Sequence, residues 1–180
     1  MSQVVVVEYD PRWPQVFEML SVSINSALEG VAVAIEHVGS TSVPGLVAKP
    51  IIDIDVVVPS RNEIPVAIKR LSSIGYTHRG NLGIEDREAF RPPMESPRHH
   101  LYVCPASSLA LRNHLAVRNA LRANRDLAER YAELKRDLAQ RFAADRDRYM
   151  TGKTEFLMAI LERNQFSPSE LEEIRLVNDL

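Results

Sequence analysis

The sequence predicts an α+β fold: a mixed sheet flanked by helices over residues 1–105, followed by an integral helical subdomain over 106–180. Three observations predict it. Val- and Ile-rich runs at 31–38 and 51–58, bounded by Gly and Pro, read as buried strands. A helical apolar stripe at 62–75 then leads into strand-like segments at 76–79 and 98–104, so helix and sheet share one layered domain. From Ser107 onward the apolar spacing is helical alone.

In chain order, Val4 to Val7 with Glu8 and Tyr9 reads as a short opening strand. Asp10-Pro11 reads as an N-cap followed by proline at the first helical position, where its missing N–H is harmless. Trp13, Val16, Phe17, Leu20, Ile24, Ala27 and Leu28 continue one amphipathic helix to Gly30. Helical packing explains Trp13 on this pattern; a base-stacking role stays open. Ile64, Ala67, Ile68, Leu71 and Ile74 form the next buried stripe, with Gly75 as C-cap. The segment from Gly80 to Pro97, with two Gly and three Pro, reads as a loop or hairpin carrying Arg87 and Arg91. Helices are expected at 109–121, 125–142 and 149–163, and Ser167-Pro168 caps a short terminal one. Arg118, Arg122 and Arg125 fall at i, i+4 and i+7, a basic patch on one face of a helix or its end.

The chemistry concentrates between Val31 and Val58. The first strand ends in His37-Val38-Gly39-Ser40, the connecting loop carries Thr41, Ser42 and Lys49, and the second strand reads Ile51-Ile52-Asp53-Ile54-Asp55. Alternation along a strand puts Asp53 and Asp55 on one face, their Cα atoms about 6.6 Å apart at the usual rise. Carboxylates in an apolar strand are costly unless paired, hydrogen-bonded or bound to metal. So close a pair suits a hard divalent cation, with Mg²⁺ or Mn²⁺ the natural candidates. A solvated strand end, or a bridge to Lys49 or an arginine, is the alternative. Gly39 permits close backbone approach, and Ser40 with the following amides suits phosphate oxygens. His37 has two open roles, catalysis or a hydrogen bond to the Ser-Thr-Ser segment. Lys49 has two as well, binding phosphate or neutralising Asp53.

The string from His37 to Asp55 resembles the GrpB family, a branch of the polymerase-β-like nucleotidyltransferase superfamily, whose mark is Gly-Ser after one strand and Asp-x-Asp on the next. The opening Asp-Pro-x-Trp segment and Tyr149-x-x-Gly152-Lys153 continue the resemblance over most of the chain. It implies a nucleotidyltransferase-like fold and metal-dependent transfer of a nucleoside monophosphate from a nucleoside triphosphate to an unidentified small-molecule or protein acceptor. By the same resemblance, Asp53 and Asp55 are catalytic metal ligands. Gly39, Ser40, Thr41, Ser42, Lys49, Arg87, Arg91, Arg118 and Lys153 are candidate nucleotide contacts, with Phe90 packed beneath the two arginines of the hairpin. The superfamily's third carboxylate is absent from the strand Arg98-His99-His100-Leu101-Tyr102-Val103-Cys104. His100 stands in its place, on the face opposite Leu101 and Val103, as a metal ligand or proton donor. The family also implies a second function, a nucleotide- or metabolite-binding accessory without transfer activity. GrpB-like domains occur fused to dephospho-CoA kinase, which suggests a link to coenzyme A biosynthesis.

Composition narrows the partners. With 180 residues and a net charge of −2, the chain is not expected to bind nucleic acid generally. Residues 1–60 hold two basic and seven acidic side chains, residues 109–153 eleven and six. An acidic part that holds metal beside a basic part that holds phosphates suits a nucleotide; a mixed-charge solvated helix surface is the alternative. No apolar run approaches membrane-spanning length, no leader pattern opens the sequence, and the lone Cys104 excludes an internal disulfide and a Cys-based zinc cage. A cytoplasmic monomer or small homo-oligomer is the expectation.

Overall fold

Two apolar strands in the middle of the sheet set the architecture. The computed structural model describes residues 4–178. Helix α1 (Trp13–Ala27) precedes β1 (Ala34–Val38); β2 (Ile52–Val58), α2 (Ile64–Ser73), β3 (Thr77–His78), β4 (Glu88–Arg91) and β5 (His99–Pro105) follow. Five helices complete the chain: α3 (Leu109–Ala123), α4 (Arg125–Arg141), α5 (Arg146–Thr151), α6 (Thr154–Glu162) and α7 (Pro168–Asn178). The sheet order is β1-β2-β5-β4-β3. β2 and β5 run parallel and the remaining neighbours antiparallel, which makes the sheet mixed as expected.

Pleat alternation divides the sheet cleanly. Ile52, Ile54, Val56 and Val58 of β2, with Leu101 and Val103 of β5, face α1 and α2 and form the main core. On the opposite face Asp53, Asp55 and Val57 lie beside His100, Tyr102 and Cys104, and Leu111 and Leu115 of α3 cover the Val57–Cys104 end. Farther along this face His114 of α3 covers Asp55, and Asp53 lies beside a cleft.

The helical layer is fastened to the sheet by the loop between β1 and β2. Val43, Leu46 and Val47 are buried against Leu121 of α3, Tyr131 and Ala132 of α4 and Ile160 of α6. That loop is therefore core despite its Pro and Gly.

Several elements differ from the sequence expectation. Val4 to Val7 is not a strand: it makes one bridge, Val7 with Ala48, and Val4 N donates to the Ala143 carbonyl, so the segment is held between loop and helices. β1 starts at Ala34, later than Val31. Helix α1 begins at Trp13, two residues later than expected, while the Asp10 carboxylate accepts from the Arg12 amide and guanidinium and caps the turn that leads into it. The expected 149–163 helix is two helices that meet at Gly152–Lys153. Arg125 leaves the basic patch because Asn124 breaks the helix and caps α4, and Arg125 pairs with Glu129 in solvent. The capping box before α2 had not been expected: Ser60 accepts from Asn62 while Glu63 accepts from Ser60.

Leu46 tests how firmly loop and helices cohere. It is 1% exposed, so Leu46→Ala should lower the unfolding free energy by about 2–5 kcal/mol. Urea denaturation followed by circular dichroism and by Trp13 fluorescence checks this, and one shared transition is expected from both probes.

Candidate active site

Gly39 and Asp53 make the closest junction in the site. Gly39 ends β1 with φ +68°, a conformation that L side chains rarely adopt. A Cβ there would stand 2.2 Å from Oδ2 of Asp53. The glycine demanded by close backbone approach is thus explained first by a carboxylate of this chain. Ser40–Ser42 then forms one 3₁₀ turn, closed by the Ser42 hydroxyl donating to the Gly39 carbonyl at 2.6 Å.

Each aspartate is engaged by an imidazole. Asp53 and His100 are paired across β2 and β5, with His100 Nδ1 2.8 Å from Asp53 Oδ1. Asp55, fully buried, meets His114 Nδ1 of α3 at 2.7 Å through Oδ2, while its Oδ1 has no hydrogen-bond partner among the described residues. Burial opposes protonation of His114, yet the Asp55 charge and hydrogen bond outweigh it, leaving the ring's pKa above its ordinary 6.5. His99 lies on the other face, bonded to the Tyr76 hydroxyl and the Pro97 carbonyl. His37 hydrogen-bonds Thr41 Oγ1 and stacks on Phe17; burial, aided by Arg122, lowers it to about 4. It is a neutral strut for the turn near neutral pH.

A cavity of about 330 Å³ opens beside this junction. Gly39, Ser40, Thr41 and Asp53 form one wall with His100 and Tyr102; Lys49, Lys135, Arg146, Tyr149 and Lys153 line the helical side. The volume lies within the range of small-molecule sites. Asp55 lies behind His114 and does not line the cavity. Arg87 also lines it, its guanidinium 4.4 Å from the Tyr102 ring centroid and its Nε buried without a hydrogen-bond partner among the described residues.

Three candidate contacts are placed differently from the sequence reading. Ser42 is buried and spent on Gly39, off the cavity, because the turn needs its hydroxyl. Arg91 lies at the outer end of β4, paired with Thr77 and exposed, and lines no cavity; alternation also sends Phe90 into the core on the opposite face, so it does not underlie the arginines. Arg118 reaches the cavity rim, but its guanidinium is committed to Glu36 Oε2 at 2.6 Å and the His37 carbonyl at 3.0 Å. The residues missed by the sequence reading are His114, Lys135 and Arg146. Lys135 carried a signal: it lies eight residues after Leu127 on the apolar stripe of α4, where a charge has no bland reason to be. Tyr131-x-x-x-Lys135 and Tyr149-x-x-x-Lys153 also repeat one spacing.

The carboxylate pair fits a divalent cation in its donor chemistry. Asp55 Oδ1 is an orphaned buried oxygen, and Oδ2 of Asp53 is pressed against bare Gly39 backbone; both are hard donors of the kind Mg²⁺ and Mn²⁺ take. Among the described residues no group of three or more His, Cys, Asp or Glu is arranged to hold a metal. Two predictions follow from this geometry. Gly39→Ala should destabilise the fold by roughly 1–3 kcal/mol, through left-handed strain and displacement of Asp53, as read by thermal and chemical unfolding. The pairing of protonated His114 with Asp55 stabilises the fold fully below the imidazole's ordinary pKa and fades as pH rises through its raised folded value. Asp55→Asn should therefore lower the His114 pKa in an NMR titration.

The comparisons with known proteins agree with this architecture. The GrpB protein family matches residues 3–163. UPF0157 protein BH1888 of Halalkalibacterium halodurans is 36% identical over 163 residues, 90% of this chain and 83% of that protein. The crystal structure of the conserved protein GrpB from Enterococcus faecalis superposes with a TM-score of 0.79 at 33% identity, over 94% of this chain and 99% of that one. Terminal uridylyl transferase 4 from Trypanosoma brucei with bound dUTP shares the fold, with a TM-score of 0.54 at 11% identity over 93% of this chain and 59% of that one. Among the described residues no helix is long and apolar enough to cross a membrane. A matched family, a close structural relative and a nucleotidyltransferase-like fold converge: the chain belongs to the GrpB family.

Proposed function

We propose that this chain is a metal-dependent nucleotidyltransferase that moves a nucleoside monophosphate from a nucleoside triphosphate to a hydroxyl or carboxylate of a small molecule or protein. One observation carries the reading: Asp53, which shares a sheet face with the buried Asp55, meets the Gly39–Ser40 turn at the edge of a cavity whose far wall is cationic. The fold shared with a uridylyl transferase supports it.

In this reading the acceptor oxygen bonds to the α-phosphorus, the bond to the bridging oxygen of the β-phosphate breaks, and pyrophosphate departs with the released charge. Asp53, with the unpaired Oδ1 of Asp55, would hold a divalent ion, which would supply polarisation of the phosphoryl oxygens and neutralisation of developing charge. The Ser40 hydroxyl and the amides of the turn bind phosphate oxygens. Lys49, Lys153 and Arg87 neutralise them, and His100, anchored through Nδ1 on Asp53, presents Nε2 to take the acceptor's proton. The helical layer supplies the cationic wall of the cavity.

A specific observation favours a second reading, nucleotide binding without turnover. The third acidic position is His100, and His114 holds Asp55 behind the cavity wall. Thermal shift with each nucleoside triphosphate, with and without Mg²⁺ or Mn²⁺, separates the two when run on wild type and Asp53→Asn. The transferase is expected to show metal-dependent stabilisation lost in the variant, and pyrophosphate release reduced by on the order of a hundredfold or more. Stabilisation indifferent to metal and to Asp53 means a binding module.

A further inference from the structure

A second cavity, of about 70 Å³, shares part of its wall with the main one: Arg87, Asn113 and His114 line both. Three elements supply the rest of its lining. Leu109 and Ala110 lie one turn before Asn113 and His114 on the same face of α3, and Ile174 and Val177 fall one turn apart on α7. Ile84 comes from the loop before β4. Glu85 and Glu173 are the two carboxylates of this cavity.

Each wall is fastened. Arg112 of α3 pairs with Glu170 of α7 at 2.5 Å, and its guanidinium lies 4.8 Å from the Phe166 ring centroid. Ile174 is buried with Met158, Leu161 and Phe166. Arg61 donates to Glu85 and Asp86 at 2.6 and 2.8 Å, and Asp86 makes the bend before Arg87 at φ +55°, a left-handed conformation that aspartate tolerates.

A group-transfer enzyme has to seat two substrates side by side. The main cavity, at about 330 Å³, is at the lower end of the range for one small-molecule ligand and leaves no separate room for an acceptor. The room lies past the shared wall, and its size admits only a compact molecule. That wall carries groups suited to a hydroxyl: the Asn113 amide, and His114, whose Nδ1 is taken by Asp55 while its Nε2 has no hydrogen bond among the described residues. The aliphatic side chains beyond suit a short carbon stem. Of the two carboxylates, Glu85 is taken by Arg61, and Glu173 makes no ion pair among the described residues. Glu173 lines the second cavity alone, whereas Arg87 stands in the shared wall. An ammonium group complements Glu173, and a further carboxylate there would meet like charge.

We propose that the second cavity seats the acceptor, and that the acceptor is a compact amino alcohol with its hydroxyl at Asn113 and His114, its stem on the aliphatic walls and its ammonium at Glu173. The acceptor role rests on the transferase reading; binding in this cavity does not. In the transfer, the hydroxyl oxygen bonds to the α-phosphorus, its proton passes to the imidazole of His100, and the bond to the β-phosphate breaks to release pyrophosphate.

Methyl NMR of the protein labelled at Ala, Ile, Leu and Val tests the seat without turnover. The probes are 3-amino-1-propanol and, on the same three-carbon stem, uncharged 1-propanol and anionic 3-hydroxypropanoate. The amino alcohol is expected to shift the methyls of Ala110, Ile174 and Val177 and to leave Ile51 and Leu157, which line only the main cavity, in place. Glu173→Gln should weaken its binding several-fold, as loss of an exposed ion pair does, and Val177→Trp should abolish the shifts, both compared after matched circular dichroism and melting. Pyrophosphate release from each nucleoside triphosphate with Mg²⁺ should then rise with the amino alcohol and not with the hydroxy acid. Shifts confined to the main cavity, equal shifts from all three probes, or binding indifferent to both substitutions overturns the proposal. Amino alcohol bound at these methyls without pyrophosphate release from any nucleotide ends the transferase reading alone; release onto an acceptor that leaves these methyls unmoved ends the acceptor seat alone.

Discussion

The contact between the bare backbone of Gly39 and the carboxylate of Asp53 is the constraint on which the rest of the site depends. Any side chain at position 39 would occupy the space of Oδ2. Because β1 pairs with β2 with Val38 opposite Asp53, the turn after β1 must pass directly over the carboxylate. The 3₁₀ turn, the buried hydroxyls of Thr41 and Ser42 and the His37 strut all serve to hold that crossing in place. The loop that follows cannot relax it, since Val43, Leu46 and Val47 are pinned in the helical layer.

Charge is organised around the same crossing. The sheet side offers carboxylates and imidazoles, the helical side ammonium and guanidinium groups, and the cavity lies between them. The two sides are linked electrostatically as well as by packing, because Asp53 raises the proton affinity of Lys49, Lys135 and Lys153 against the depressing effect of burial. A ligand with an anionic chain and a metal-seeking end complements both walls at once. Arg118 serves this arrangement from outside, joining α3 to β1 through Glu36 and the His37 carbonyl.

Much of this was legible in the sequence, for identifiable reasons. The Asp53–Asp55 face follows from strand alternation, a period of two that local sequence fixes. His100 beside Asp53 could be anticipated once both strands were recognised, although the parallel pairing of β2 with β5 is a long-range fact. Partnerships across layers were not legible: His114 reaches Asp55 over 59 residues, and Lys135 reaches Val47 over 88. Local rules also misled where they met tertiary demand. The Val4–Val7 run has strand composition but is held by a loop and a helix end, and Ser42 looks like a ligand hydroxyl but closes its own turn. Gly152 was seen as part of a motif, yet it marks a helix break where a Cβ would strike Leu138 of α4 at 2.5 Å.

The central claim is that the Gly39–Asp53 crossing and the lysine wall receive the two ends of one nucleotide's phosphate chain. A crystal structure of the protein with Mn²⁺ and a nucleoside triphosphate analogue blocked at the α,β-bridge, with anomalous scattering used to find manganese and phosphorus positions, tests it most directly. The account predicts manganese bound to Asp53 and phosphates on Lys49, Lys153 and Arg87. Phosphates seated elsewhere, with no manganese on Asp53, would contradict it.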